Sequence, residues 1–224
     1  MDRGPSEELP GTAIRADEPI HLQLFRYERF IQAKSLYFQY SFLYLYEPGR
    51  SSAQITPKME WTLVEGFLLL ALDNRKGAFL IDSIALNHGL AGAVLMKLII
   101  LKRIRIEHRR VYVVDTSDTG SPLLNSMLDI LAQSKKQRKV KHWVTRLAAR
   151  LKKKKQMVID RLVDEGVLKK KRTKILGFIP HTVYRTVYTT RADALRSNMM
   201  AIIQGERQVD PKSLMLLSLL EATK

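Results

Sequence analysis

The sequence predicts a mainly α protein: a compact helical domain with central apolar helices and peripheral β-hairpins. Three observations support this fold class. Leu80–Leu86 and Gly89–Leu101 are apolar on nearly all sides, which is typical of helices buried in a core. Helical stretches are twice followed by two strand-like stretches joined by a turn. Ser121-Pro122 and Asp210-Pro211 each combine a capping side chain with a proline suited to the first helical position.

Residues 1–54 are predicted to form an N-terminal extension, a disordered tail followed by an aromatic-rich segment, and residues 55–224 the main domain. Met1–Glu18 is polar and contains two prolines, a composition that does not support a packed core. Phe25–Tyr46 holds nine of the chain's fifteen Phe and Tyr residues. Its first half has helical spacing and its second half alternates like a strand, so its secondary structure stays open.

The main domain is predicted to begin with a helix whose start is Thr56-Pro57 and whose apolar positions include Trp61 and Phe67. Asp73–Gly77 is a turn, and the two apolar helices follow it. Arg103–Glu107 and Val111–Val114 then form the first predicted hairpin.

Pro122 opens a helix that ends near Ala132, and Val158–Leu162 lies in a later helix that precedes the second hairpin. The tip of that hairpin is the apolar stretch Ile175–Ile179. The last helix starts at Asp210 and is predicted to bury a stripe of three leucines, Leu214, Leu217 and Leu220.

The charge of the chain is concentrated in one region. Residues 132–175 contain seventeen Lys and Arg residues and three acids, a surplus of fourteen out of a formal net charge of +16. Three basic runs carry it, Lys135–Lys141, Lys152–Lys155 and Lys169–Lys174. Such a surplus attracts phosphate-rich partners, either nucleic acid or an anionic membrane surface. An ordinary solvated helix face is the alternative for any single run.

The sequence favours a binding protein over an enzyme. It has no cysteine, and its five histidines lack the spacing of a metal site, so neither a metal nor a cofactor is expected. Asp115–Gly120 is a polar loop whose spacing fits helix capping better than catalysis. The acidic N-terminal residues do not resemble an export signal, and the apolar stretches are shorter than a membrane span, so we expect contact with a membrane from outside.

Two classes of polyanion remain to be distinguished. A helix followed by a hairpin resembles a winged helix, which would make Gln156–Glu165 a recognition helix for nucleic acid. That helix presents Asp160, Asp164 and Glu165, which would repel phosphates. The second hairpin instead places Ile175, Leu176, Phe178 and Ile179 beside basic residues, which suits a wedge in a lipid headgroup layer or a contact between copies of the chain. An adaptor that binds acidic protein tails is a third reading.

From Thr56 onward the chain resembles the Golgi phosphoprotein 3 family of peripheral membrane proteins. The resemblance rests on the order and spacing of several motifs, Glu65–Asp73, Lys76-Gly77, Gly89–Leu95, Thr119–Leu124, Trp143, Leu162–Leu168 and Asp210–Ser213. It implies a cytoplasmic, peripheral membrane protein that binds phosphatidylinositol 4-phosphate and the cytoplasmic tails of membrane proteins.

The resemblance also implies a headgroup site. The two basic residues of the family pocket correspond to Lys152 and Lys155, with Lys153 and Arg150 beside them. Asp82 and Ala91 stand where the family has a Trp and an Arg. The expected site is therefore the basic half of the pocket, which would bind acidic lipid with less selectivity for the headgroup.

Overall fold

The computed structural model describes residues 62–73, 76–175, 179–187 and 190–224. The elements in chain order are helix α1 (Leu63–Leu70), helix α2 (Ser83–Ile100), strands β1 (Ile104–Glu107) and β2 (Arg110–Val113), helices α3 (Pro122–Ala132) and α4 (Val140–Asp164), strands β3 (Leu168–Ile175) and β4 (Ile179–Thr186), and helices α5 (Thr190–Ile203) and α6 (Pro211–Ala222). The predicted mainly α fold with two peripheral hairpins is confirmed. Both the N-terminal extension and the boundary at residue 55 lie outside the described residues.

Helix α2 is the centre of the fold. It packs most extensively on α4 and also contacts α1, α3 and α6. Leu90, Ala91, Ala93 and Val94 have essentially no exposed surface. Burial of a leucine or valine side chain contributes about 1.5–3 kcal/mol to the stability of the fold, and burial of an alanine contributes less. The side chains of α2 therefore form the middle of the core.

The sequence predicted two apolar helices here, and the structure corrects this to one. Asp82 caps α2, with its carboxylate accepting from the backbone N–H groups of Ile84 and Ala85 at 2.7 and 2.9 Å. Leu80 precedes the helix and donates its N–H to the carbonyl of Ala71. Asn87 and His88, which interrupt the apolar pattern, continue the helix without a break.

Among the described residues, α2 is also the one helix long and apolar enough, by length and composition, to cross a membrane. The expectation that every apolar stretch is too short was therefore wrong for this helix. More than half of it is buried inside the protein, and this packing alone accounts for its apolar composition.

The helix that contains Phe67 begins later than predicted. Thr62 has an extended backbone and forms a capping box with Glu65: the Glu65 N–H donates to the Thr62 hydroxyl, and the Thr62 N–H donates to the Glu65 carboxylate. This cap starts α1 at Leu63, and a continuous helix from Pro57 through this point is excluded.

The last two helices differ from the prediction in other ways. Helix α6 starts after Asp210 as expected, but its buried face is made by Met215, Leu216 and Leu219 rather than by the predicted leucine stripe, whose members are half-buried. Helix α5 was not predicted. It is held to α1 by the buried Arg196, which donates from Nη2 to the carbonyl of Leu69 at 2.8 Å.

Both hairpins are antiparallel. In the first, Ile104 pairs with Val113 and Glu107 with Arg110. In the second, Leu168 pairs with Thr186 and Ile175 with Ile179, which confirms the predicted position of the tip. Residues 176–178, including Leu176 and Phe178, lie outside the described residues.

Candidate functional site: a basic surface on helix α4

The candidate site lies on α4, a helix of 25 residues with an apolar face and a basic face. Trp143, Leu147, Leu151 and Leu162 are buried against the core. Residues on the opposite side, among them Arg150, Lys152 and Lys153, are exposed. The buried face fixes the direction in which the basic face points.

Lys155 differs from its neighbours because it lies at the junction of α4 and α2. It is half-buried, and its Nζ donates to Oδ1 of Asn87 on α2 at 3.4 Å. Burial lowers the pKa of Lys155, and the nearby charge of Lys152 lowers it further. Two cations are thus held close together, one of them partly removed from water.

These cations have no carboxylate to neutralise them in the described part of the chain. No carboxylate there is within ion-pair distance of Arg150, Lys152, Lys153 or Lys155. Arg161, two turns further along α4, contrasts with them. Its Nε lies 2.8 Å from Oε1 of Glu165, and its Nη1 lies 3.4 Å from Oε1 of the buried Glu65. Both carboxylates raise the pKa of Arg161. Arg161 therefore has a structural partner, whereas the four earlier cations are available to an anion from outside.

The second hairpin extends this surface. The Gln156 side chain, next to Lys155, donates to the Tyr184 hydroxyl of β4 at 3.2 Å, and Tyr184 pairs with Lys170 in the ladder. Lys169, Lys170, Lys171 and Arg172 are all exposed on β3. The middle of α4, with the run at 152–155, therefore lies beside the strand that carries the run at 169–174.

The third basic run lies elsewhere. Residues 135–139 precede α4, where Arg110 donates to the carbonyl of Gln137 and Val111 donates to that of Arg138. Lys139 is the N-cap of α4, and at 1.5 Å per residue it lies about 24 Å along the helix from Lys155. The sequence alone did not separate this run from the other two.

Asp82 and Ala91 contribute neither an aromatic group nor a cation. The Asp82 carboxylate caps α2, and Ala91 is fully buried in the core. The polar group that α2 does supply is Asn87, which the sequence analysis missed. A polar residue within an apolar helix was the available signal, since a buried amide needs a partner.

The other polar features have structural roles. Asp115 forms an ion pair with Arg103, and hydrogen bonds from Ser117 lower the pKa of Asp115. In the same loop, Ser121 caps α3, as predicted. No group of three or more His, Asp or Glu side chains that could hold a metal ion occurs within the described ranges.

The winged-helix alternative places its recognition helix at the C-terminal end of α4. Asp160, Asp164 and Glu165 are exposed there, and the Gln156 amide donates to Asp160 at 2.7 Å. The acidic groups that would repel nucleic acid phosphates therefore lie on the surface of this segment.

Comparison with known protein families gives one match. Residues 63–224 match the family model described as Golgi phosphoprotein 3 (GPP34), which is more than two thirds of the chain. The match begins at the first residue of α1 and leaves out the aromatic-rich segment. In a comparison with curated proteins, no sequence matches this chain.

Proposed function

This chain belongs to the Golgi phosphoprotein 3 family, and we propose that it is a peripheral membrane protein that binds anionic phospholipid headgroups through α4. One observation carries the proposal. Lys152 and Lys155 form a cationic pair without a carboxylate partner among the described residues, and Lys155 is partly desolvated against Asn87. A headgroup phosphate would supply the missing negative charge.

Burial makes this arrangement suitable for an anion. A half-buried ammonium has lost part of its hydration, so its interaction with a phosphate is screened less than at a fully exposed site. The exposed cations of α4 and β3 add a broader attraction of about 1 kcal/mol for each residue close to an anionic surface. Together they support binding of acidic lipid, with phosphatidylinositol 4-phosphate as the lipid that the family suggests.

The hairpin between β3 and β4 has a separate role in this proposal. Its basic strand lies beside the α4 cations, and its apolar tip, which includes Ile175, Leu176, Phe178 and Ile179, is either a wedge in the headgroup layer or a contact between copies of the chain. The proposal includes no catalytic step. Cytoplasmic tails of membrane proteins are its second class of partner.

Charge reversal at the site tests the proposal. In the Lys152→Glu/Lys155→Glu variant, co-sedimentation with anionic vesicles should fall well over tenfold, because an attractive pair becomes a repulsive one. The matched control is Lys135→Glu/Lys136→Glu, which changes the net charge equally at exposed positions in the distant run. Equal losses in the two variants, with the fold intact, would overturn the assignment of the site.

Two further experiments accompany vesicle co-sedimentation. Changing Leu176 and Phe178 to Ser should weaken vesicle binding at constant solution mass if the tip is a wedge, whereas a lower mass by light scattering indicates a contact between copies. A duplex DNA titration covers the alternative. Tighter binding to DNA than to anionic vesicles of similar phosphate concentration would favour nucleic acid as the partner.

A further inference from the structure

An apolar groove lies on the side of α2 where the chain's last helix ends. It is formed by α2, β1, the start of α4 and the end of α6, and it contains a cavity of about 170 Å³. The side chains that line it are mainly apolar and include Leu95, Met96, Ile99, Ile106, Val144 and Leu219. Several of these, including Met96 and Ile99, are only half-buried in the described part of the chain.

Two glycines of α2 form part of the groove wall. A Cβ atom at Gly89 would lie 2.1 Å from the Phe67 ring, and one at Gly92 would lie 2.7 Å from Leu219. Real Cβ atoms essentially never approach another atom this closely, so Phe67 of α1 and Leu219 of α6 pack directly on the backbone of α2. The end of α6, at Ala222 and Thr223, lines the groove from one side.

The groove offers almost no polar chemistry to a ligand. His88 Nδ1 is at hydrogen-bond distance, 2.8 Å, from the Ile84 carbonyl. The Thr223 hydroxyl donates to backbone carbonyls of α6 at 3.0 Å. Because these polar groups already have partners, the occupant that fits is an apolar side chain. An apolar cavity of about 150 Å³ accepts a benzene ring, so the size suits one aromatic residue.

The chain itself supplies aromatic residues close in sequence to α1. Phe25–Tyr46 contains nine of the fifteen Phe and Tyr residues and lies outside the family match at residues 63–224. Fifteen residues, 47–61, connect it to the described part. A flexible connection of that length spans roughly 20 Å on average and at most about 50 Å.

The point where this connection joins the fold is near the groove. Helix α1 starts at Leu63, and Phe67, within about one turn of that start, packs against Gly89 in the groove wall. We propose that the groove is the docking site of the chain's own Phe25–Tyr46 segment, with one aromatic ring in the cavity. The segment then completes the core of the domain, a role independent of lipid binding by α4.

Disulfide trapping in the full chain tests the docking. The protein has no cysteine, so an engineered pair reports one proximity only. We combine Ala222→Cys, on the exposed rim of the groove, with Ser35→Cys or Ser41→Cys in the segment. The matched control replaces Ala222→Cys by Ala149→Cys, an exposed alanine of α4 outside the groove. Under mild oxidation at micromolar concentration, at least one Ala222 pair should form an intramolecular disulfide at least tenfold faster than its control.

Several outcomes would overturn the proposal. Equal rates for Ala222 and Ala149 pairs would show that the segment has no preference for the groove. Disulfide-linked dimers as the main product would assign the groove to a second copy. Equal rates for the Ala222 and Ala149 pairs that both fall on addition of vesicles would assign the segment to the membrane.

A second variant tests competition for the cavity. In Ala222→Trp the new indole occupies the groove, so the segment should be released and trypsin should cleave after Arg26, Arg29 and Lys34 severalfold faster. Ala149→Trp is the control. Unchanged cleavage in Ala222→Trp, with the fold retained, would contradict the docking.

Discussion

At the scale of single residues, the basic site depends on the environment of Lys155. The sequence identified Lys152 and Lys155 through a family resemblance, and the structure places both on the part of α4 that contacts the second hairpin. The sequence could not identify Asn87, because periodicity does not show which polar group of an apolar helix will face a cation. It also could not show that Ala91 is buried in the core, where no headgroup reaches it.

The lowered pKa of Lys155 predicts how binding depends on pH. The folded protein releases this proton at a lower pH than the unfolded chain does, so the charge costs stability below the folded pKa. Between the folded pKa and the ordinary value, the unfolded chain holds this proton and the folded protein does not. The free energy of unfolding therefore increases with pH in that range. A bound phosphate favours the charged form, so vesicle binding should weaken as pH rises through the folded pKa.

Co-sedimentation between pH of about 7 and about 10.5 measures this effect, compared with Lys155→Arg. The arginine keeps its charge throughout this range, so the variant should retain binding at a pH where the original protein has begun to lose it. Parallel loss of binding in the two proteins would show that Lys155 does not contact the anion.

At the scale of elements, the sequence located most helices and both hairpins but assigned one buried face wrongly. In α6, leucine and methionine occur on several sides, so more than one apolar stripe has helical spacing. Packing on α1 and α2 selects Met215, Leu216 and Leu219. Helix α5 was missed because its buried Arg196 interrupts the apolar pattern, and only the tertiary contact with Leu69 explains that arginine.

The second hairpin is held against the domain at Gly77. This residue has φ +70°, and its carbonyl accepts from the Tyr184 N–H at 2.9 Å. A Cβ atom at Gly77 would lie 3.1 Å from the Tyr184 carbonyl oxygen and from Val183 Cβ. The turn at 73–77 thus requires glycine both for its backbone conformation and for the close approach of β4.

Gly77→Ala should therefore destabilise the protein more than a comparable change elsewhere. The left-handed conformation costs about 1–2 kcal/mol for alanine, and the crowding against β4 adds about 1–3 kcal/mol. Gly205→Ala is the matched control, since Gly205 has φ +79° and nothing within 4 Å of the new Cβ. Urea unfolding measures the free energy of unfolding of both variants. Equal values would show that β4 moves away from the new Cβ atom without loss of stability.

At the scale of the whole molecule, composition predicted a polyanionic partner, and the fold determines how the charge is arranged. One hydrophobic core joins all six described helices. The run at 152–155, in the middle of α4, lies beside the strand that carries the run at 169–174, whereas the run at 135–141 lies at the start of α4. The separation depends on α4 being one continuous helix of 25 residues, a length that the charge pattern alone does not reveal.

This arrangement predicts strong dependence on salt and weak discrimination among headgroups. Asp82 caps α2 and Ala91 is buried, so neither is expected to contact an inositol ring, and charge should be the main determinant of the proposed binding. Between low and physiological ionic strength the screening length falls to about 8 Å, and vesicle binding should fall steeply. On vesicles matched in surface charge, phosphatidylinositol 4-phosphate should be preferred at most severalfold. A hundredfold preference would reveal a specific pocket built from other residues.

The packing of α1 and α6 on the bare backbone of α2 limits how this family member can diverge. Every replacement of Gly89 introduces a Cβ atom 2.1 Å from the Phe67 ring, a severe steric overlap, so no single substitution at that position is compatible with the present arrangement of helices. A change there becomes tolerable only after Phe67 has become smaller. The two positions are therefore expected to vary together and in a fixed order among relatives, with the smaller residue at position 67 appearing first.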